Sequence, residues 1–186
     1  MVRRGQYKRK IIGLLNADLQ DEHSAIIQYL DQAYVMRGGE MSCEVEAIYR
    51  DEMRHLDWLA KAIVELCGIL SLDRSKMMMS GKRVTEWMSN DVSLGESAII
   101  QYREQINLID NPRIKRLLKR ILSDEEAHRD KFTQDVGNGY YRHGETIRKL
   151  NWAIEHEYTV ILQYLFHSYM TTSPETKNQF ENQAVN

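Results

Sequence analysis

The chain has 186 residues, a formal net charge of −2, and 42% apolar against 28% charged residues. That length suffices for one domain with a full core, and the near-neutral balance argues against nucleic acid or an anionic membrane as a partner recruited by charge. Cys43 and Cys67 form no CxxC pair, and the apolar run at 11–15 is too short for a signal segment or a membrane span, so a soluble, cytoplasmic protein is expected.

With only Pro112 and Pro174, and apolar residues recurring at spacings of three and four, the pattern is all-α. The first helix is expected over 6–36, with Leu15, Leu19, Glu22, Ile26, Tyr29 and Ala33 along one stripe, and Gly38-Gly39 ending it. The second covers 42–67, with Ile48, Glu52, His55, Leu59 and Leu66 inward. A connector at 68–83, containing Gly81, is expected to cross the long way over the other helices. The third helix, 84–109, carries Met88, Val92, Gly95, Ile99, Tyr102 and Ile106, and Asn111-Pro112 stops it. The fourth, to 136, turns Ile114, Leu118, Ile121, Glu125, His128 and Phe132 inward. After a Gly137-Asn138-Gly139 turn, a fifth helix is expected over 141–170 with a stripe of Leu150, Ile154, Glu157, Ile161 and Tyr164.

The chain repeats itself. The word Ser24-Ala25-Ile26-Ile27-Gln28-Tyr29 recurs letter for letter as Ser97 to Tyr102, an offset of 73 residues. The same offset carries Asp51-Glu52-Met53-Arg54-His55 onto Asp124-Glu125-Glu126-Ala127-His128. A third, partial copy starts at Leu150-Asn151, which repeats Leu15-Asn16 and puts Glu157 on Glu22. The expected division is therefore a four-helix unit at 1–137, followed at 138–186 by a long helix and tail that look like the start of a second, truncated unit.

Residues three apart on a helix share a face, so Glu52 points with His55 and Glu125 with His128. Each pair stands where a core residue belongs, and Glu22 is likewise flanked by Leu19 and Ile26. An ionised carboxylate buried alone costs several kcal/mol. One such acid could be explained by an ion pair. Three acids and two imidazoles in matched pairs point instead to bound cations.

The paired Glu-x-x-His motifs, with Glu22, Ala25, Gln28 and Tyr29 on the first helix, resemble the ferritin-like superfamily, especially its bacterioferritin- and rubrerythrin-type proteins. That resemblance implies a ferritin-like four-helix bundle with a long crossover connection, to which the extra C-terminal helix is added. It implies Glu22, Glu52, His55, Glu125 and His128 as metal ligands and catalytic residues, with Glu52 and Glu125 bridging two iron ions, manganese being the alternative metal. It further implies an oxidoreductase of ferroxidase or peroxidase type whose partners are metal ions and oxygen or peroxide. Met53 stands at the place of the haem-binding methionine of bacterioferritin, although haem is not expected on one methionine alone. No CxxC pair is present for a rubredoxin centre.

One position departs: the third-helix ligand falls on residue 95, which is glycine. A π-bulge near Gly95 could swing Glu96 inward as the sixth ligand. Alternatively the site is lopsided, with water or substrate in the vacant place, or it is degenerate and the bundle is an oligomerisation scaffold without catalysis. An apolar stripe on the fifth helix would make the chain a homodimer or higher oligomer.

Overall fold

The computed structural model describes residues 2–36, 40–135, 160–161, 163–164, 166–171 and 173–185. Four long helices dominate it: α1 (Val2–Met36), α2 (Glu40–Glu65), α3 (Val84–Leu108) and α4 (Pro112–Asp135), with a terminal helix at Pro174–Val185. The architecture is all-α, as the periodicity implied, and takes the ferritin-like bundle form that the resemblance implied. The turn at 137–139, Glu157 and most of the expected fifth helix lie outside the described residues. The division at 137 therefore stays an expectation, as does association through that helix. Residues 166–170 are helical.

The chain falls into two compact units. One comprises Met1–Asp21, Leu59–Arg74 and Gly144–Asn186, the other Glu22–Trp58 and Ser75–His143. In the first, α2 ends in a turn that hands its last carbonyls to the outgoing chain. Cys67 takes a left-handed conformation (φ 53°), its amide donates to the Val64 carbonyl at 2.7 Å, and the Gly68 amide donates to Ile63 at 2.8 Å. Glycine is needed at 68 for packing: a Cβ there would lie 2.8 Å from the Cγ2 atoms of both Ile12 and Ile63. Beyond it the connector lacks ladder partners, so side chains of α1 satisfy its backbone. Asn16 donates to the Ile69 carbonyl at 3.0 Å and accepts the Ser71 amide at 2.8 Å.

In the second unit the same task falls about two and three turns further along α1. The Ser24 hydroxyl donates to the Ser75 carbonyl at 2.8 Å, and Gln28 accepts the Met78 amide at 2.7 Å. Gly81 (φ 111°) makes the turn into α3, where Glu86 folds back to accept the Lys82 and Arg83 amides at 2.7 and 3.1 Å. Asn111 caps α4 by accepting the Arg113 and Ile114 amides, so Pro112 begins a helix at the position where a missing N–H costs nothing.

The inward stripe of α4 is buried at every expected position from Ile114 to Phe132. That of α3 is turned from the expectation. Asp91 is fully buried and Val92 only half-buried, while Gln105 is buried and Ile106 half-buried. The buried face thus accepts two polar residues that a hydrophobic criterion passes over. Leu66, expected inward on α2, is also half-buried.

Candidate metal centre

In the second unit the apolar stripes are interrupted by Glu22 from α1, Glu52 and His55 from α2, and Glu125 and His128 from α4. Every one of them is at most 6% exposed. Each has apolar neighbours a turn away: Ile26 beside Glu22, Ile48 and Leu59 around α2's pair, Ile121 and Phe132 around α4's. A buried apolar side chain contributes about 1.5–3 kcal/mol. Several together can hold the helices closed around acids whose burial costs several kcal/mol each.

Glu52 lies between the two imidazoles. One carboxylate oxygen, Oε2, is 3.0 Å from His55 Nδ1, and the other, Oε1, is 3.0 Å from His128 Nδ1. Glu125 Oε1 is 3.3 Å from His55 Nδ1 and 3.9 Å from His128 Nδ1, and Glu22 Oε2 is 3.5 Å from His55 Nδ1. One donor atom each from Glu22, Glu52, His55 and Glu125 lies within 4.8 Å of all the others. His128 falls outside that tight group because it faces the second oxygen of Glu52, and its ring stacks 6.0 Å from that of His55.

The remote nitrogens are held crosswise. His55 Nε2 is 3.3 Å from Asp124 Oδ2, and His128 Nε2 is 3.2 Å from Asp51 Oδ2. The aspartate preceding the glutamate in each motif therefore reaches the histidine of the other. An Nε2–H donated to an aspartate leaves Nδ1 free to point inward as a ligand. Asp51 also pairs with Arg54, and Asp124 with Arg120 at 3.1 Å. These aspartates were missed in sequence because they stand about 100° round the helix from the inward glutamate; the signal available was their recurrence in both copies of the repeat.

Tyr102 supplies another contact, its hydroxyl donating to Glu22 Oε1 at 2.5 Å. Core packing alone does not describe this tyrosine. Tyr29, its counterpart in the repeat, packs against Phe132 with the rings tilted and their centroids 5.2 Å apart. Asp91 is a further buried acid, taking Gln28 Nε2 at 2.7 Å and Gln32 Nε2 at 3.0 Å on Oδ1.

Glu96 does not join the cluster. Helix α3 continues without a π-bulge through 95, Gly95 is buried and Glu96 is exposed. A Cβ at 95 would come within 3.1 Å of Arg129 Cβ, so α4 lies close against the glycine. One residue of phase, about 100°, separates Glu96 from the inward line. Met53 is half-buried.

The protonation of the cluster follows from its burial. Glu22 is pushed up to about 7, first by burial and then by the charge of Glu52. Burial would push His128 down, but the Glu52 carboxylate beside it and the charge of Glu125 raise it to about 9. Burial would push His55 down as well, but the surrounding carboxylates of Glu22, Glu125 and Glu52 outweigh it and raise it. Without metal the cluster thus retains positive charge as protons.

Whether these residues suit a metal is decided by atoms that protons leave unserved. His128 Nδ1, Glu52 Oε1 and Glu125 Oε1 are buried and make no aligned hydrogen bond, although the first two are only 3.0 Å apart. Buried polar atoms are normally bonded. Three orphans facing one another fit a cation between them.

Residues 12–138 match the ferritin-like domain family. This chain belongs to that family. Among curated proteins it is 29% identical over 149 residues to the bacterioferritin of Desulfovibrio desulfuricans, covering 75% of this chain and 80% of that protein. The crystal structure of that bacterioferritin, described with a diiron site in different catalytic states, matches with a TM-score of 0.69 at 26% identity, over 83% of this chain and 89% of the other. The bacterioferritin of Rhodobacter capsulatus, described with a metal-free dinuclear site and a haem iron, matches with a TM-score of 0.65 at 25% identity, over 69% and 84%. No helix among the described residues is long and apolar enough to cross a membrane.

Proposed function

We propose that this ferritin-like chain is a dinuclear iron oxidoreductase of ferroxidase type, oxidising Fe(II) with oxygen or peroxide. The observation that carries the reading is the placement of Glu52 with one oxygen 3.0 Å from each histidine Nδ1, a carboxylate positioned to serve two cations at once. In this reading Glu22, Glu52, His55, Glu125 and His128 would hold the two irons, Glu22 and Glu125 on the side of His55 and Glu52 within reach of both imidazoles. When bound, the two metals supply the paired one-electron changes that reduction of oxygen or peroxide requires. The oxygen-rich donor set with imidazole suits iron, and manganese next, better than structural zinc. Haem at Met53 has no part in it.

The chain's own residues do the remaining work. Asp51 and Asp124 fix the imidazoles with Nδ1 inward. Glu22, Glu52 and Glu125 offset cationic charge in a site closed to water. Tyr102 steadies the Glu22 carboxyl and holds a proton at its hydroxyl. The protons carried by His55 and His128 leave as metal enters, so loading is coupled to proton release.

The test is anaerobic Fe(II) titration of metal-stripped protein followed by air. A near-ultraviolet absorbance that saturates at two irons per chain, and that Glu52→Ala and His128→Ala abolish with helicity intact, is expected. No rise in the wild type, helicity unchanged, would establish the scaffold reading that Gly95 favours.

A further inference from the structure

The near-neutral total charge conceals a segregation. Arg3, Arg4, Lys8, Arg9 and Lys10 all precede the first acid, Asp18, which leaves −7 on the rest of a chain whose net charge is −2. These five cations stand on the opening turns of α1, a helix of 35 residues against 26 in α2. The turn that closes α2 meets α1 at Ile12, where a Cβ on Gly68 would lie 2.8 Å from Cγ2. From Gly5 onward, Ile11 is the first buried residue of α1. Before it, Gly5, Gln6, Tyr7, Arg9 and Lys10 are exposed and Lys8 is half-buried. A Cβ on Gly5 would meet nothing within 4 Å. Lys8, Arg9 and Lys10 make no ion pair among the described residues.

Charge and backbone both disfavour this start to a helix. Cations at an N-terminus oppose the helix dipole, Arg4 and Lys8 are like charges four residues apart, and Gly5 weakens the segment further. Packing does not offset these costs, because the residues just before Ile11 face solvent. A polyanion reverses the sign of the charge effects. At about 100° per residue the five cations fall on every side of the helix, and the apolar Val2 and Tyr7 stand about 140° apart. A helix lying on a membrane buries one apolar face, which this segment lacks. It suits a partner that surrounds it with anions. The major groove of duplex DNA is about 12 Å wide, admits an α-helix and has phosphates along both walls. We propose that residues 2–10 of α1 bind duplex DNA through its phosphates, seated in the major groove and without sequence preference. Duplex RNA, whose major groove is too narrow for side chains to read, is a poorer fit.

The test is fluorescence anisotropy of a labelled DNA duplex of mixed sequence, titrated with the full chain. Binding should be micromolar or tighter at about 50 mM salt and weaken roughly 100-fold by about 200 mM, as expected for about four phosphate contacts. A second DNA sequence should bind alike and duplex RNA more weakly. Arg9→Gln with Lys10→Gln should lower the salt slope by about two contacts. Lys8→Glu with Arg9→Glu and Lys10→Glu should abolish binding. Both variants keep the buried face of α1, so circular dichroism should show helicity unchanged. Arg116→Gln with Lys119→Gln, two exposed cations of α4, should bind as wild type. The wild-type salt series and the glutamine pair decide the question even where three glutamates fray α1. No binding at low salt, binding undiminished in the glutamate variant, or an equal loss in the α4 variant overturns the proposal. Tighter capture by phosphatidylserine vesicles than by DNA overturns it in favour of a membrane. Every readout is made without metal, so the dinuclear reading stands or falls separately.

Discussion

Replacing Asp91 with asparagine separates one buried titration from the rest of the core. Asp91 is fully buried, with Oδ1 bonded by Gln28 and Gln32 and Oδ2 without a hydrogen-bond partner. Burial pushes its carboxyl from 3.8 up to about 7, against the downward pull of the two glutamines. The native state therefore binds this proton more tightly than the unfolded chain does. Its contribution to stability is fully present below 3.8 and is lost as pH rises through 7. At ~1.4 kcal/mol per pKa unit, a shift of roughly three units is worth about 4 kcal/mol. Asparagine keeps the acceptor oxygen and cannot ionise. Urea unfolding of the metal-stripped wild type and Asp91→Asn, followed by far-ultraviolet circular dichroism, should give similar stabilities near about pH 4 and a variant more stable by up to about 4 kcal/mol near about pH 8. Glu22 and His128 titrate in both proteins and cancel in the difference. Two curves that stay parallel across this range would refute the assignment of a strained, buried carboxylate at 91.

Metal affinity should rise with pH, because His128, raised to about 9, and Glu22, raised to about 7, must lose protons as cations enter. Calorimetry in two buffers of different ionisation enthalpy counts those protons, and a count of zero contradicts the protonation described here. Asp51→Asn and Asp124→Asn should each weaken metal binding about 10–100-fold, with unfolding midpoints little changed when metal is absent. Unaltered affinity in both would remove the aspartates from the site. Cys67→Gly should stabilise the protein by about 0.5–1 kcal/mol by relieving a left-handed residue. Gly68→Ala should destabilise it by about 1–3 kcal/mol through the contacts with Ile12 and Ile63. Thermal unfolding reads both, and the reverse order of stabilities would contradict the geometry of that turn.

What could be read from the residues alone depended on whether the signal was local. The α4 stripe obeys helical spacing throughout, and the five acids and imidazoles declared themselves by interrupting apolar stripes at matched places. On α3 the same criterion failed by one residue, preferring Val92 to Asp91, because the partners that make a buried acid tolerable, Gln28 and Gln32, lie on another helix. Glu96 was brought inward by supposing a distortion at Gly95 that the backbone does not make. Asp51 and Asp124 look like surface positions on their own helices, and only the packing of α2 against α4 shows them meeting the opposite histidines.

That crossed arrangement has a consequence for how such a centre can change over time. Neither half of the duplication owns a finished histidine, since each imidazole is aimed by the other half's acid. Drift in one motif spoils the far motif as well, so the two must be kept or abandoned jointly. Residue 95 stands outside this mutual dependence, and an acid lost there leaves both imidazoles correctly aimed. A change at residue 95 is thus one from which the aiming of both imidazoles is mechanically insulated.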